Sequence, residues 1–133
     1  MTRINVIPPH RLLDEHLRAE YRELPRVSNL ARALPKGSAP SGYVLGAGHV
    51  KFFYDKLGYL LERYGLLHEE CLKRGFKVTD YRSAWRGVPP SMMGSYCPTE
   101  NDVRLIRDRI RERNRAIYRR EKPNPRHHIG GPL

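Results

Sequence analysis

The sequence predicts a single compact all-α domain of about three helices with long irregular connections. Three observations lead to this prediction. In three separate segments, apolar residues recur at the three- and four-residue spacing of an amphipathic helix. No segment shows the alternating pattern of a half-buried strand. The length of 133 residues is sufficient for one hydrophobic core but not for two independent ones.

The first predicted helix spans residues 10–24 and follows Pro8 and Pro9. Its apolar stripe, which we expect to face the core, consists of Leu13, Leu17, Tyr21 and Leu24. Each residue of a helix is rotated by about 100° from the one before it, which puts a row of arginines nearly opposite the apolar stripe. These arginines are expected to point to solvent or to phosphate. This row contains Arg11, Arg18, Arg22 and, if the helix continues through Pro25, Arg26.

His16, Glu20 and Glu23 lie at the border between these two faces. A carboxylate at such a border can stand partly buried beside cations in a fixed geometry. The simpler interpretation is that both glutamates pair with arginines on adjacent helix turns, as is common on surface helices. The pattern alone leaves both interpretations open.

Residues 35–48 are dense in Pro, Gly and Ser and predict a connecting loop. The central core helix is predicted over residues 50–75, with Gly75 ending it. Gly58 and Gly65 lie inside this helix, which indicates a bend or a close helix contact at either position. The apolar stripe here is the longest in the chain and consists of Val50, Phe53, Leu57, Leu60, Leu61, Tyr64, Leu67, Cys71 and Leu72.

Residues 77–98 carry mixed turn signals and predict an irregular connection. Thr99 and Asp102 then form a capping-box-like start to the last helix. Residues 1–122 are thus predicted to form the helical domain, and residues 123–133 a mobile C-terminal tail. The narrow apolar stripe of the last helix consists of Val103, Ile106, Ile110 and Ile117.

The charge of the chain indicates what it binds. Twenty-five Lys and Arg against fourteen Asp and Glu give a net charge of +11, which predicts a polyanionic partner. The last helix is rich in arginine, whose guanidinium suits bidentate phosphate contacts. Together with the row of arginines on the first helix, it would bind phosphates from two sides. The simpler interpretation is that these arginines form a solvated charged face. Its arginines are Arg104, Arg107, Arg109, Arg111, Arg113, Arg115, Arg119 and Arg120.

Other functional classes have little support in the sequence. No apolar run approaches the ~18 residues that span a bilayer, and no secretory stretch is present, so we expect a cytoplasmic protein without membrane contact. We also expect a monomer. Cys71 and Cys97 are expected to be reduced thiols. His68 and Cys71 are spaced to share a metal, but no second ligand pair accompanies them, so no metal site is predicted.

Thr2 is a candidate nucleophile. Its small side chain makes Met1 a good target for removal, which would expose a free α-amine. Such an amine has a reference pKa of about 7.7 to 8.0, well below the roughly 10.4 of lysine, so more of it is neutral and nucleophilic near pH 7. A small second residue is common, and by itself it indicates little.

Four blocks of the sequence resemble the bacteriophage endonuclease V type of pyrimidine-dimer DNA glycosylase with AP-lyase activity. These blocks are MTRIN, EHLRAEYRELPRV, LGAGHVKFFYDKL and ECLKRGF, and they occur in the order of that family. Together they span most of residues 1–76. The resemblance implies an all-helical enzyme that acts on damaged double-stranded DNA and needs no metal or organic cofactor.

The resemblance also implies roles for individual residues. The mature N-terminal amine, on Thr2, would attack the sugar carbon that bears the damaged base, and the resulting imine would undergo β-elimination and break the strand. Glu23 would be the carboxylate that stabilises the cationic sugar and assists proton transfer. His16 would support the pocket, and the residues that hold phosphates around the lesion would be Arg3, Arg22 and Arg26.

Two departures from the family pattern bear on the choice of lesion. The loop before LGAGHV is shorter, and an aromatic-rich C-terminal segment is replaced by AIYRREKPNPRHHIGGPL. Ultraviolet dimers, other damaged bases and abasic sites therefore all stay open as substrates. The alternative function is a non-catalytic, basic, helical nucleic-acid-binding protein.

Overall fold

The computed structural model describes residues 3–32, 45 and 48–121. Within those ranges the protein is all-helical and contains no β-strand, which confirms the predicted fold class. The α-helices are α1 (Asp14–Arg32), α2 (His49–Phe52), α3 (Leu57–Lys73) and α4 (Glu100–Glu121). Three short 3-10 turns occupy Pro9–Arg11, Arg82–Trp85 and Pro90–Met92.

Helix α1 begins later and ends later than predicted. Its first predicted turn is the separate 3-10 turn Pro9–Arg11, and the helix continues through Pro25 to Arg32. Proline inside a helix removes a backbone hydrogen bond and costs roughly 3 kcal/mol. Val27 and Ala31 are buried beyond the proline, and their burial against the core offsets this cost.

The predicted core helix over residues 50–75 was wrong in one respect, because it is interrupted. Helix α2 ends at Phe52 and α3 begins at Leu57, with turns between them. A segment from later in the chain docks at this interruption. The Gly94 amide donates to the Asp55 carbonyl at 3.1 Å, and the Gly94 carbonyl accepts from the Tyr59 amide at 3.0 Å.

Gly58 explains how this segment approaches the start of α3 so closely. A Cβ atom at Gly58 would lie 2.6 Å from the carbonyl oxygen of Met93. A side chain therefore does not fit unless the backbone moves. The backbone therefore has a close contact at Gly58, although its partner is the Met93–Gly94 segment and not a helix as predicted. A Cβ at Gly65 would lie 3.7 Å from Arg82 Nη2, an ordinary distance.

The core lies mainly between α1 and α3. The Tyr21 and Tyr64 rings stack with their centroids 4.6 Å apart, and the Trp85 indole donates to the Leu57 carbonyl at 2.9 Å. Cys71 is buried on the same side of α3, as predicted. The other apolar side chains with no exposed surface include Ile4, Leu17, Leu24, Phe53, Leu60, Leu67 and Ile106.

Helix α4 begins with the predicted capping box. The Thr99 hydroxyl accepts from the Asp102 amide, and the Asp102 carboxylate accepts from the Thr99 amide, both at 3.1 Å. These two bonds satisfy donors that the first helical turn leaves without partners. Cys97 precedes the cap and is exposed. Of the predicted apolar stripe, Ile106, Ile110 and Ile117 are buried.

Several predictions lie outside the described residues. These are Thr2, all of the predicted loop at 35–48 except positions 45 and 48, and the predicted tail at 123–133. None of the described helices is both long enough and apolar enough to pass through a membrane.

Candidate active site

A cavity of about 270 Å³ lies where the N-terminal segment (residues 3–7), α1 and α4 meet. Three of the predicted site residues, Arg3, His16 and Glu23, line this cavity together. Arg22 and Arg26 are exposed on the outer face of α1 and do not line it. The other polar and charged side chains that line it are Asn5, Glu15, Glu20, His49, Arg109 and Arg113.

Glu23 is the partly buried carboxylate of this cavity. Its side chain is 16% exposed, against 67% for the neighbouring Arg22. An oxygen of Glu23 lies 3.8 Å from Arg22 Nη2, which is the outer limit of an ion pair. Glu23 therefore combines a shielded position with contact to the open space of the cavity, which agrees with one of the two interpretations that its border position on α1 left open.

Glu20 lies one turn before Glu23 but serves a different purpose. It is 2% exposed, and it accepts from Arg63 Nε at 2.5 Å and from Arg63 Nη2 at 3.0 Å. It also accepts from the side-chain amide of Asn5 at 2.8 Å. The simpler interpretation, a pair with an arginine on an adjacent turn, was wrong for Glu20, because its cation comes from α3.

Arg63 completes this buried pair at the base of the cavity. Burial alone lowers the pKa of its guanidinium, but the facing carboxylate of Glu20 outweighs burial and the net shift is upward. The remaining guanidinium nitrogen donates to the Ile7 carbonyl at 2.8 Å. Arg63 thus ties α3 to both α1 and the N-terminal segment.

The N-terminal segment is held by a side chain of α2 and by a hydrogen bond within the segment itself. The Ile4 amide donates to Nε2 of the buried His49 at 2.9 Å. Arg3 Nε donates to the Asn5 side-chain carbonyl at 2.8 Å. Val6 has φ +42°, an unfavourable conformation for a β-branched residue, which persists only where surrounding contacts enforce it.

His16 is nearly buried between the N-terminal segment and α4. Its Nδ1 lies 3.2 Å from Arg3 Nη2, and its Nε2 lies 2.7 Å from Asn114 Oδ1. Burial lowers the pKa of His16 below its ordinary 6.5, the Asn114 hydrogen bond opposes this change, and the charge on Arg3 adds to it. The imidazole is therefore neutral at pH 7.

Helix α4 closes the cavity from the side that faces Glu23 and His16. Arg109 and Arg113 lie one turn apart on α4 and are both exposed, and they direct positive charge at the opening. Arg109 Nε is 3.9 Å from a Glu112 oxygen, a weak contact that leaves its charge accessible. An anionic ligand at the opening would meet these two cations and Arg3.

Sequence reasoning did not single out Asn5, His49, Arg63 or Asn114. One of them left a signal, because Arg63 lies between Leu60 and Leu67 on the apolar stripe of its helix. A charge in that position requires a buried partner. The others are ordinary polar residues in the sequence, and only their long-range contacts distinguish them.

No cluster of three or more His, Cys, Asp or Glu residues suited to a metal ion occurs in the described part of the chain. His68, considered above with Cys71 as a metal ligand, has its Nδ1 2.9 Å from the Tyr21 hydroxyl. That hydroxyl also donates to the Thr79 carbonyl at 2.6 Å. His68 therefore participates in the hydrogen bonds that join α1 to the segment after α3.

A small basic helical protein with a partly buried carboxylate, Glu23, and three arginines around one cavity is suited to act on an anionic substrate. A model of the pyrimidine dimer DNA glycosylase family matches residues 1–83, which is more than half of the chain. The chain belongs to the pyrimidine dimer DNA glycosylase family, and its substrate is damaged DNA. The match covers α1, α2 and α3, whereas α4 lies beyond it.

Proposed function

We propose that the chain excises a damaged base with the α-amine of Thr2 as nucleophile and then breaks the strand by β-elimination. The observation that carries this proposal is the cavity shared by Arg3, His16 and Glu23. Thr2 directly precedes Arg3 in the chain, and consecutive Cα atoms are about 3.8 Å apart. A nucleophile on Thr2 and a carboxylate on Glu23 are then available to one substrate.

In the first step the amine nitrogen bonds to C1′ of the sugar while the bond from C1′ to the base breaks. The departing base takes up a proton, and the opened sugar is left joined to the enzyme as an imine. Loss of a C2′ proton from this imine expels the 3′ phosphate and breaks the strand. Both steps exchange protons and electron pairs only, so no oxidant or reductant is consumed.

Glu23 is the carboxylate best suited to assist this reaction. Positive charge develops on the sugar as the base departs, and a carboxylate in a shielded site stabilises such charge by several kcal/mol. Glu20 is engaged by Arg63 and Asn5, and Glu15 is exposed. Glu23, with its side chain 16% exposed, is thus the partly buried acid on this wall that faces the cavity.

The arginines around the cavity serve two purposes in this proposal. Their positive charge favours the neutral form of a nearby amine and so increases its nucleophilicity near pH 7. They also hold phosphates on both sides of the lesion, with Arg3, Arg109 and Arg113 at the cavity and Arg22 and Arg26 along the outer face of α1. Phosphate contacts carry no sequence information, so binding is expected to be largely independent of sequence.

Borohydride trapping tests the proposal directly. Purified protein, with the removal of Met1 verified by mass, is mixed with duplex DNA that contains either an abasic site or ultraviolet dimers. Borohydride reduces an imine to a stable protein-DNA adduct, so an adduct that maps to Thr2 is expected. The absence of both adduct and nicking, together with intact binding, would favour the alternative of a non-catalytic DNA-binding protein.

Glu23→Gln separates the role of the carboxylate from that of the amine. The variant should bind damaged duplex as the wild type does but lose base excision, because an amide does not stabilise the cationic sugar. Glu69→Gln, at an exposed position of α3, is the matched control and should retain full activity. An unchanged excision rate in Glu23→Gln would remove Glu23 from the mechanism.

A further inference from the structure

His16 joins the N-terminal segment to α4 through its two ring nitrogens. On one side, Nδ1 meets Arg3 Nη2 at 3.2 Å. On the other side, Nε2 meets Asn114 Oδ1 at 2.7 Å, across a separation of 98 residues in the chain. Arg3 in turn donates to Asn5, so a continuous path of hydrogen bonds runs from α4 to the N-terminal segment.

The donor and acceptor capacities of these groups determine where the proton of His16 resides. A guanidinium only donates, so Nδ1 accepts from Arg3. The proton of the neutral ring is then on Nε2, which donates to the Asn114 carbonyl oxygen. A second proton, on Nδ1, would point at the Arg3 guanidinium and break the path.

We propose that Asn114 is a positioning residue that holds His16 as the Nε2–H tautomer and thereby fixes Arg3, the residue that follows Thr2, at the cavity. Asn114 acts through His16 and Arg3 and does not itself touch DNA. This role rests on the proposed function, because the position of the N-terminal amine matters for catalysis only if that amine reacts. It also extends the catalytic machinery to α4, which lies beyond the family match at residues 1–83.

The surroundings of His16 predict opposite effects for two substitutions of Asn114. The charged groups that act on the ring are Arg3 in the N-terminal segment, Glu15 on α1 and Arg113 on α4. Burial is the largest influence and lowers the pKa, whereas the Asn114 hydrogen bond raises it. Asn114→Asp adds a negative charge and should raise the pKa of His16, while Asn114→Ala removes the hydrogen bond and should lower it.

Nitrogen-15 NMR of the imidazole rings in the free protein tests the contact without any need for activity. The wild type should show His16 as the Nε2–H tautomer, neutral at pH 7, and the two Asn114 variants should move its titration in opposite directions. Asn101→Asp is the matched control, since Asn101 is exposed in the first turn of α4. A wild-type ring protonated on Nδ1, or a His16 titration that Asn114→Asp leaves unchanged, would overturn the proposal.

The rate of borohydride-trapped adduct formation at an abasic site, measured against pH, tests the positioning role. Asn114→Ala should lower the rate about tenfold, the equivalent of one lost hydrogen bond. In Asn114→Asp the loss of activity on the acid side should begin at a higher pH, because the protonated ring releases Arg3. Asn101→Asp should follow the wild-type profile.

The NMR measurement and the trapping rate distinguish a failure of the positioning role from a failure of the proposed function. If the wild type forms no adduct, the proposed function fails, while the tautomer still decides whether Asn114 holds His16. If adducts form and every Asn114 variant keeps the wild-type rate and pH profile, the positioning role is overturned. Should Asn114→Ala fail to fold, Asn114→Asp retains an acceptor at the same position and supplies the pH readout.

Discussion

Glu20 and Arg63 form a buried two-pronged ion pair across 43 residues of sequence. Both side chains are essentially inaccessible, at 0% and 4% exposed. Glu20 also accepts from Asn5, and Arg63 also donates to the Ile7 carbonyl, so the pair anchors the N-terminal segment as well as α1 and α3. Its removal should therefore affect both folding and the site.

Arg63→Met should destabilise the protein by about 3–5 kcal/mol, because the Glu20 carboxylate would stay buried without its cation. Unfolding in urea measures this loss. The double variant Arg63→Met with Glu20→Gln should recover part of the stability, since no unpaired charge is left. Arg82→Met, which breaks the half-exposed pair with Asp80, is the control and should cost less than about 1 kcal/mol. A similarly small loss in Arg63→Met would contradict the structure.

Two glycines of α3 should respond oppositely to the same substitution. Gly58→Ala places a Cβ 2.6 Å from the Met93 carbonyl oxygen and should destabilise by about 1–3 kcal/mol. Gly65→Ala meets Arg82 Nη2 at 3.7 Å and should stabilise by about 0.5–1 kcal/mol, because alanine is the better helix former. Thermal unfolding of both variants makes the comparison, and equal shifts of the same sign would refute it.

Stability should fall as the pH drops below about 6.5, the ordinary pKa of histidine. The pKa of His16 is lowered in the folded protein, chiefly by burial, so the unfolded chain binds the proton first. The unfolded state then holds more protons, and stability increases with pH in this window. Urea unfolding between about pH 7.5 and 5 measures the slope. His16→Gln should flatten it, while His10→Gln, at an exposed position, should leave it unchanged.

Arg109→Ala and Arg113→Ala should each weaken binding to undamaged duplex DNA and reduce its salt dependence. Neutralising one phosphate releases condensed counterions, so the slope of log K against log salt should decrease by about 0.9 for each arginine removed. Arg107 lies on α4 beside Thr99 and Val103, away from the cavity, and Arg107→Ala is the comparison variant. Equal slopes for all three variants would show that the cavity side of α4 has no special part in binding.

The spacing of apolar residues predicted where the helices occur better than it predicted where they begin and end. The stripe of Leu17, Tyr21 and Leu24 predicted α1, but the buried residues beyond Pro25 were needed to see that it continues. The interruption before Leu57 was not predictable from periodicity, since Phe53 fits the stripe and is buried in either case. The segment around Gly94, about 40 residues later in the chain, forms hydrogen bonds at that interruption. A pattern read over neighbouring residues does not detect such a long-range contact.

The candidate site was predictable where one helix carried it. His16 and Glu23 share a border of α1, and the pattern placed both beside the arginines of the same helix. The partners that give these residues their geometry come from distant positions: Asn114 for His16 and Arg63 for Glu20. Such contacts are set by tertiary packing and produce no recognisable spacing pattern in the sequence. The exception is Arg63, whose charge on an apolar helix face indicated a buried partner.

The two cysteines differ in accessibility, and this provides a way to observe α4. Cys71 is sealed in the core, whereas Cys97 is exposed just before the Thr99 cap. A thiol-reactive fluorophore should therefore attach at Cys97 alone in the native protein, without prior removal of other cysteines. A dye at Cys97 lies next to the N-terminal end of α4. A change in its emission would therefore measure how fast DNA binds near this helix, in a protein without substitutions.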